Sequence, residues 1–75
     1  MTLDKAAMAT PYRIVSFDAL AEDHRLRLSA VGVCEEAVIT KLLHTPLMDP
    51  VECLVGPQLL TLEAWLLGRI RVSPA

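Results

Sequence analysis

Four side chains in this chain of 75 residues could bind a soft or borderline metal ion: His24, Cys34, His44 and Cys53. They recur about every ten residues, whereas compact sites draw ligands from close pairs such as C-x-x-C or H-x-x-x-H. No ready site follows from that spacing, and only His24 and Cys34 remain as weak metal candidates. Asp49 and Glu52 are near enough in sequence to suggest an acid-base pair. One falls in a turn and the other on the polar face of a strand, where solvated charge is the default. There is no glycine-rich phosphate loop and no G-x-S-x-G. Nothing here asks for a cofactor, and the reading is of a protein that is not an enzyme.

The elements that must position these residues centre on Asp23 to Val33, DHRLRLSAVGV. Glu22 and Asp23 suit the N-terminal end of a helix over about residues 22–31, with Asp18 or Asp23 as its cap. Arg25, Leu28, Val31 and Gly32 take the spacing R-x-x-L-x-x-Φ-G, where Φ is apolar. Leu28 and Val31, three apart, share a helix face, with His24 one turn earlier. Gly32 falls where a helix closes through a left-handed residue. Leu26 points to the opposite side.

Around this helix the residue types read as strands. Tyr12 to Phe17 is β-branched and aromatic and follows a proline. Val33 to Glu36 is a connecting turn. Ala37 to Thr45 is the longest strand candidate, and Pro46 to Pro50 is a turn rigidified at both ends. Val51, Cys53 and Val55 alternate with Glu52, so Cys53 reads as a small core residue. Gly56-Pro57 turns into a strand over 58–62, and Glu63 to Leu67 forms a short helical turn ending at Gly68. Ile70 and Val72 then alternate inward. Residues 1–11 read as a flexible N-terminal arm, and 12–75 as one domain. The expected fold is mainly β with one or two short helices: a small SH3-like barrel of about five strands, hiding its edges by closure.

Composition narrows the function. Hydrophobic residues make up 53% of the chain, yet it has a single Trp, Tyr and Phe. The core is therefore aliphatic, and a chain this small leaves some apolar surface exposed, which points to binding. Net charge −2 leaves no basic stripe for nucleic acid. No apolar run approaches the ~20 residues of a spanning helix, so membrane insertion is not expected. The first residues lack the apolar core of an export signal, so the protein is expected to be cytoplasmic with reduced thiols. Trp65-Leu66-Leu67 crowds three bulky groups into one turn. Either the arm or helix covers them, or they form a patch for a partner or for self-association.

From Tyr12 to Val72 the chain resembles the FeoA family, the small ferrous iron transport protein A that works beside the membrane GTPase FeoB. The resemblance rests on four pieces in order. They are Arg25-x-x-Leu28-x-x-Val31-Gly32, the strand from Ala37 to His44, and Pro46-Leu47-Met48-Asp49-Pro50 followed by Val51 and Cys53, like the family's "P-L-G-D-P". The last is Leu60-Thr61-Leu62 with Ile70-Arg71-Val72. The chain departs from the pattern where the family has glycine at Glu36 and Met48, arginine at Glu63 and often alanine at Leu67. A different backbone is expected at the two former glycine positions. The reversed charge at Glu63 puts in doubt any partner contact that relies on a base there.

The resemblance implies a cytoplasmic, non-catalytic adaptor that regulates ferrous iron uptake by contacting an FeoB-like membrane GTPase. An alternative is a metal-responsive SH3-like module that binds a transition metal or docks onto a metal-dependent repressor. Arg25, Leu26, Trp65 and Leu66 are the candidate partner contacts. Leu28, Val31, Gly32, Pro46, Asp49 and Pro50 are the structural motif.

Overall fold

The computed structural model describes residues 1–44 and 49–75. Five strands form one antiparallel sheet: β1 (Pro11–Phe17), β2 (Val38–His44), β3 (Val51–Val55), β4 (Gln58–Leu62) and β5 (Ile70–Pro74). Helix α1 (Glu22–Ala30) lies between β1 and β2, and α2 (Ala64–Leu67) between β4 and β5. The spatial order is β4-β3-β2-β1-β5. Strands β2 to β4 are a meander, and β1 joins β2 to the returning β5.

Alternation drives the core. In β3, Val51, Cys53 and Val55 are buried while Glu52 and Leu54 are half-buried. In β5, Ile70 and Val72 point inward. They meet Ile14, Ile39, Val33, Leu62 and Leu28 in one aliphatic cluster, with Tyr12 its only aromatic member among the buried residues. Register shifts between Ile14 and Ser16 in β1 and between Lys41 and Leu43 in β2 mark irregularities in the ladder. Such bulges increase local twist, which curls a sheet toward a barrel.

The sequence reading leaves residues 1–11 as a flexible arm; the fold instead incorporates their first half. Leu3 is fully buried and Ala6 nearly so. A short 3-10 turn, Leu3–Lys5, carries Leu3 inward. Thr2 bridges Arg71, and the Val72 N–H donates to Met1 O at 2.8 Å, so this segment covers the outer edge of β5. The physical reason is that an aliphatic core short of aromatics has room for Leu3 and gains by excluding water from it.

Three local expectations are also corrected. Helix α1 is not capped by Asp18 or Asp23: Ala21 is its N-cap, with no side-chain hydrogen bond. Asp18 instead accepts from Arg71 Nε at 2.7 Å. Val31 is not core but 39% exposed, because the helix has already ended and Val31 sits at its C-cap in a non-helical conformation. Gly32 has φ +89°, the left-handed closure its position demands. Glu36 does not adopt a different backbone from a glycine. It keeps φ +75°, and its N–H donates to Ile14 O at 2.9 Å, so the turn retains a glycine-like conformation on a glutamate. Pro46 and Met48 lie outside the described residues.

Candidate functional site

Nine residues make up α1, and Leu28 is its one buried side chain. The rest of the helix stands as a ridge with an open groove along each flank. The sequence explains this: EDHRLRLSA has no second apolar residue in phase with Leu28 inside the helix, so a single anchor holds it.

One groove, of about 650 Å³, runs between α1 and the end of β1, with Arg25, Leu26 and Ser29 on the helix side and Phe17, Leu20 and Cys34 opposite. Leu26 is 64% exposed, the most open large apolar side chain among the described residues. The other groove, of about 440 Å³, separates α1 from β4 and α2; His24, Arg27 and Val31 face Leu60, Glu63 and Trp65. Its end is ordered by aromatic contact. The His24 and Trp65 rings meet edge-on at 5.4 Å and 77°, and Trp65 Nε1 donates to Glu63 Oε2 at 3.0 Å. Glu63 thus fixes the Trp65 indole.

The structure divides the sequence-derived candidates. Arg25 and Leu26 share the first groove and Trp65 is half exposed in the second. Leu66 is buried at 7% and belongs to the core, not to the exposed surface expected from the sequence: of the crowded turn, Leu66 and Leu67 point in and Trp65 points out. The weak metal candidates are not brought together. His24 lines the groove beside Trp65, whereas Cys34 lines the groove on the other flank of α1. Among the described residues no three His, Cys, Asp or Glu side chains converge to hold a metal ion. The side chain of His44 lies outside the described residues.

Asp49 acts as a tertiary cap: its Oδ1 accepts from the Ala64 N–H at 2.9 Å, supplying α2 with the bond its own N-cap, Glu63, does not make. Pro50 follows Asp49 through a cis peptide bond.

Two buried polar groups complete the electrostatics. Lys41 is almost inaccessible at 3%, and its Nζ donates to Asp4 O at 3.2 Å. Burial pushes its pKa down, opposed by Asp4 and Cys53. Burial also raises the Cys53 thiol to about 11, opposed by Lys41. Cys53 is therefore a protonated, unreactive core residue near neutral pH. The sequence reading passed over Lys41, although its two-residue offset from Ile39 places it on the buried face of β2.

The fold is an SH3-like barrel with an exposed helical ridge flanked by two open grooves. The FeoA domain model matches residues 1–74, and the chain belongs to the FeoA family. Solved structures agree. FeoA from Chlorobium tepidum is 28% identical with a TM-score of 0.88, covering 96% of this chain and 68% of that one. Iron(II) transport protein A from Clostridium thermocellum is 27% identical with a TM-score of 0.85, covering 99% of this chain but only 45% of that one. FeoA of Stenotrophomonas maltophilia, an SH3 domain protein complexed with zinc, shares the fold at 22% identity and a TM-score of 0.77, covering 97% and 89%. No curated protein matches the chain.

Proposed function

We propose that this chain is an accessory protein of ferrous iron uptake, without catalytic activity of its own, that binds the cytoplasmic side of an FeoB-like membrane GTPase. Family membership supplies the iron-transport setting. The observation that carries the binding role is α1, a helix with one buried residue whose exposed Arg25 and Leu26 line an open groove. A helix with a single buried anchor gains little from packing against the barrel, and contact with a partner would add to that.

No helix among the described residues is long and apolar enough to cross a membrane, which fits a role beside a transporter rather than as one. The Stenotrophomonas protein is described as a possible bacterial ferrous iron transport activating factor, in accord with this reading. Its zinc is not carried over, because His24 and Cys34 line different grooves here.

The test is twofold: co-purification of this chain with the cognate GTPase transporter, and ferrous iron uptake in cells lacking the chain. Association together with reduced uptake supports the proposal. Absence of binding, with uptake unchanged on deletion, refutes it.

A further inference from the structure

Among the described residues Lys41 is the only charged side chain in the interior, and residues 1–10 lie against it. Both halves of that segment hang on Lys41. Its Nζ donates to Asp4 O at 3.2 Å, and its backbone O accepts from the Ala9 N–H at 2.7 Å. Further ties are the Ala7 N–H donating to Tyr12 Oη at 3.0 Å, the Thr2–Arg71 bridge and the Val72 N–H donating to Met1 O. The ladders of β1 begin at Pro11 on β2 and at Tyr12 on β5. Apart from the Thr2–Arg71 bridge, the segment can therefore leave without breaking a strand pair.

Closing the segment sets opposing terms against each other. Leu3 passes from water to full burial and Ala6 nearly so, which favours closure. Against it, the Lys41 ammonium gives up its hydration for one hydrogen bond among the described residues, although an ammonium has three donors. The Asp4 carboxylate and Cys53 offset part of that loss, but desolvation outweighs them and pushes the amine's pKa down. Exposed Ala9 is held at φ +56°, a left-handed conformation that alanine seldom adopts and that an open segment does not impose.

We propose that residues 1–10 form a strap that opens and closes as one unit over a barrel that stays folded, with Leu3 as its clasp and the buried Lys41 ammonium as the spring that opposes closure. Opening returns the ammonium to water, relaxes Ala9 and frees the outer edge of β5. Lys41 thus acts in the sense opposite to the one its bond to Asp4 suggests: it limits how tightly the strap is held. The strap is independent of the transporter partnership.

Native-state amide hydrogen exchange on the whole chain tests it. The N–H groups of Ala7, Ala9 and Val72 each lose their acceptor or their cover when the strap opens. They should share one opening free energy, smaller than that of Ile14, whose N–H donates to Ala37 O at 2.9 Å within the barrel. Leu3→Ala should speed exchange at all three together by about 30-fold. Lys41→Met, which keeps the volume and removes the charge, should slow it at all three by about 10-fold, and Lys41→Leu should act in the same sense. Trypsin cleavage after the exposed Lys5 should follow the same order in the wild type and the variants. One opening energy shared by the three residues and Ile14 would overturn the proposal, because the strap would then open only with the barrel. So would separate opening energies at Ala7, Ala9 and Val72, or faster exchange in the Lys41 variants, which would make the ammonium a latch.

Discussion

Glu36 carries a conformation meant for glycine. A side chain in the left-handed region costs about 1–2 kcal/mol, and the exposed pair it makes with Arg13 at 4.0 Å returns little. Glu36→Gly should therefore stabilise the protein by about 0.5–1 kcal/mol, after allowing for the added freedom of the unfolded chain. Thermal melting checks this; a lower melting temperature would mean the Arg13 pair matters more than the strain. Lys41 and Cys53 give the protein a pH signature of two opposing signs. Cys53 keeps its proton up to about 11 when folded, against an ordinary 9.0, so its contribution is intact below pH 9 and lost as pH rises through 11. Lys41 has a lowered pKa against an ordinary 10.5, so just below pH 10.5 the unfolded chain holds a proton that the folded chain releases, and stability rises with pH there. Urea unfolding under reducing conditions separates the two: Cys53→Ala should remove the fall above pH 9, and Lys41→Met should remove the opposing rise.

At the scale of elements, strand β3 was legible in the sequence because its alternation is strict and one face is wholly buried. Strand β5 was legible for the same reason, and Gly32 marked the end of α1 because few other residues close a helix that way. The packing of residues 1–6 was not legible. Leu3 is anchored by a bridge from Thr2 to Arg71, nearly the whole chain away, and no local pattern encodes that. Val31 was misplaced because helical spacing assumes the helix continues to it, and the C-cap geometry turns it out. Leu3→Ala should cost about 2–4 kcal/mol, a loss that a frayed arm would not show. The tertiary cap on α2 was likewise invisible locally, since Asp49 precedes Ala64 by 15 residues. Asp49→Ala should lower stability by about 1 kcal/mol, measured by chemical denaturation. The Trp65 ring, positioned by α2, should lose order with it, seen as a change in its fluorescence.

At the scale of the molecule, one small barrel presents surfaces of different character. Core-facing alternation packs the inner face of the sheet, β4 is an edge strand, and α1 offers a ridge held by Leu28 alone. Leu26, on that ridge, is exposed enough that the fold gains little from it, so the proposed partner contact can be probed there without disturbing the fold. The proposed interaction is between this ridge and an FeoB-like GTPase. The direct measurement is calorimetric titration of wild-type protein and Leu26→Ala into the cytoplasmic portion of the cognate transporter, with melting temperatures recorded alongside. Saturable binding by the wild type is predicted, with Leu26→Ala weakened about 10-fold at an unchanged melting temperature. Equal affinity of the two proteins, or no binding by the wild type, would contradict it.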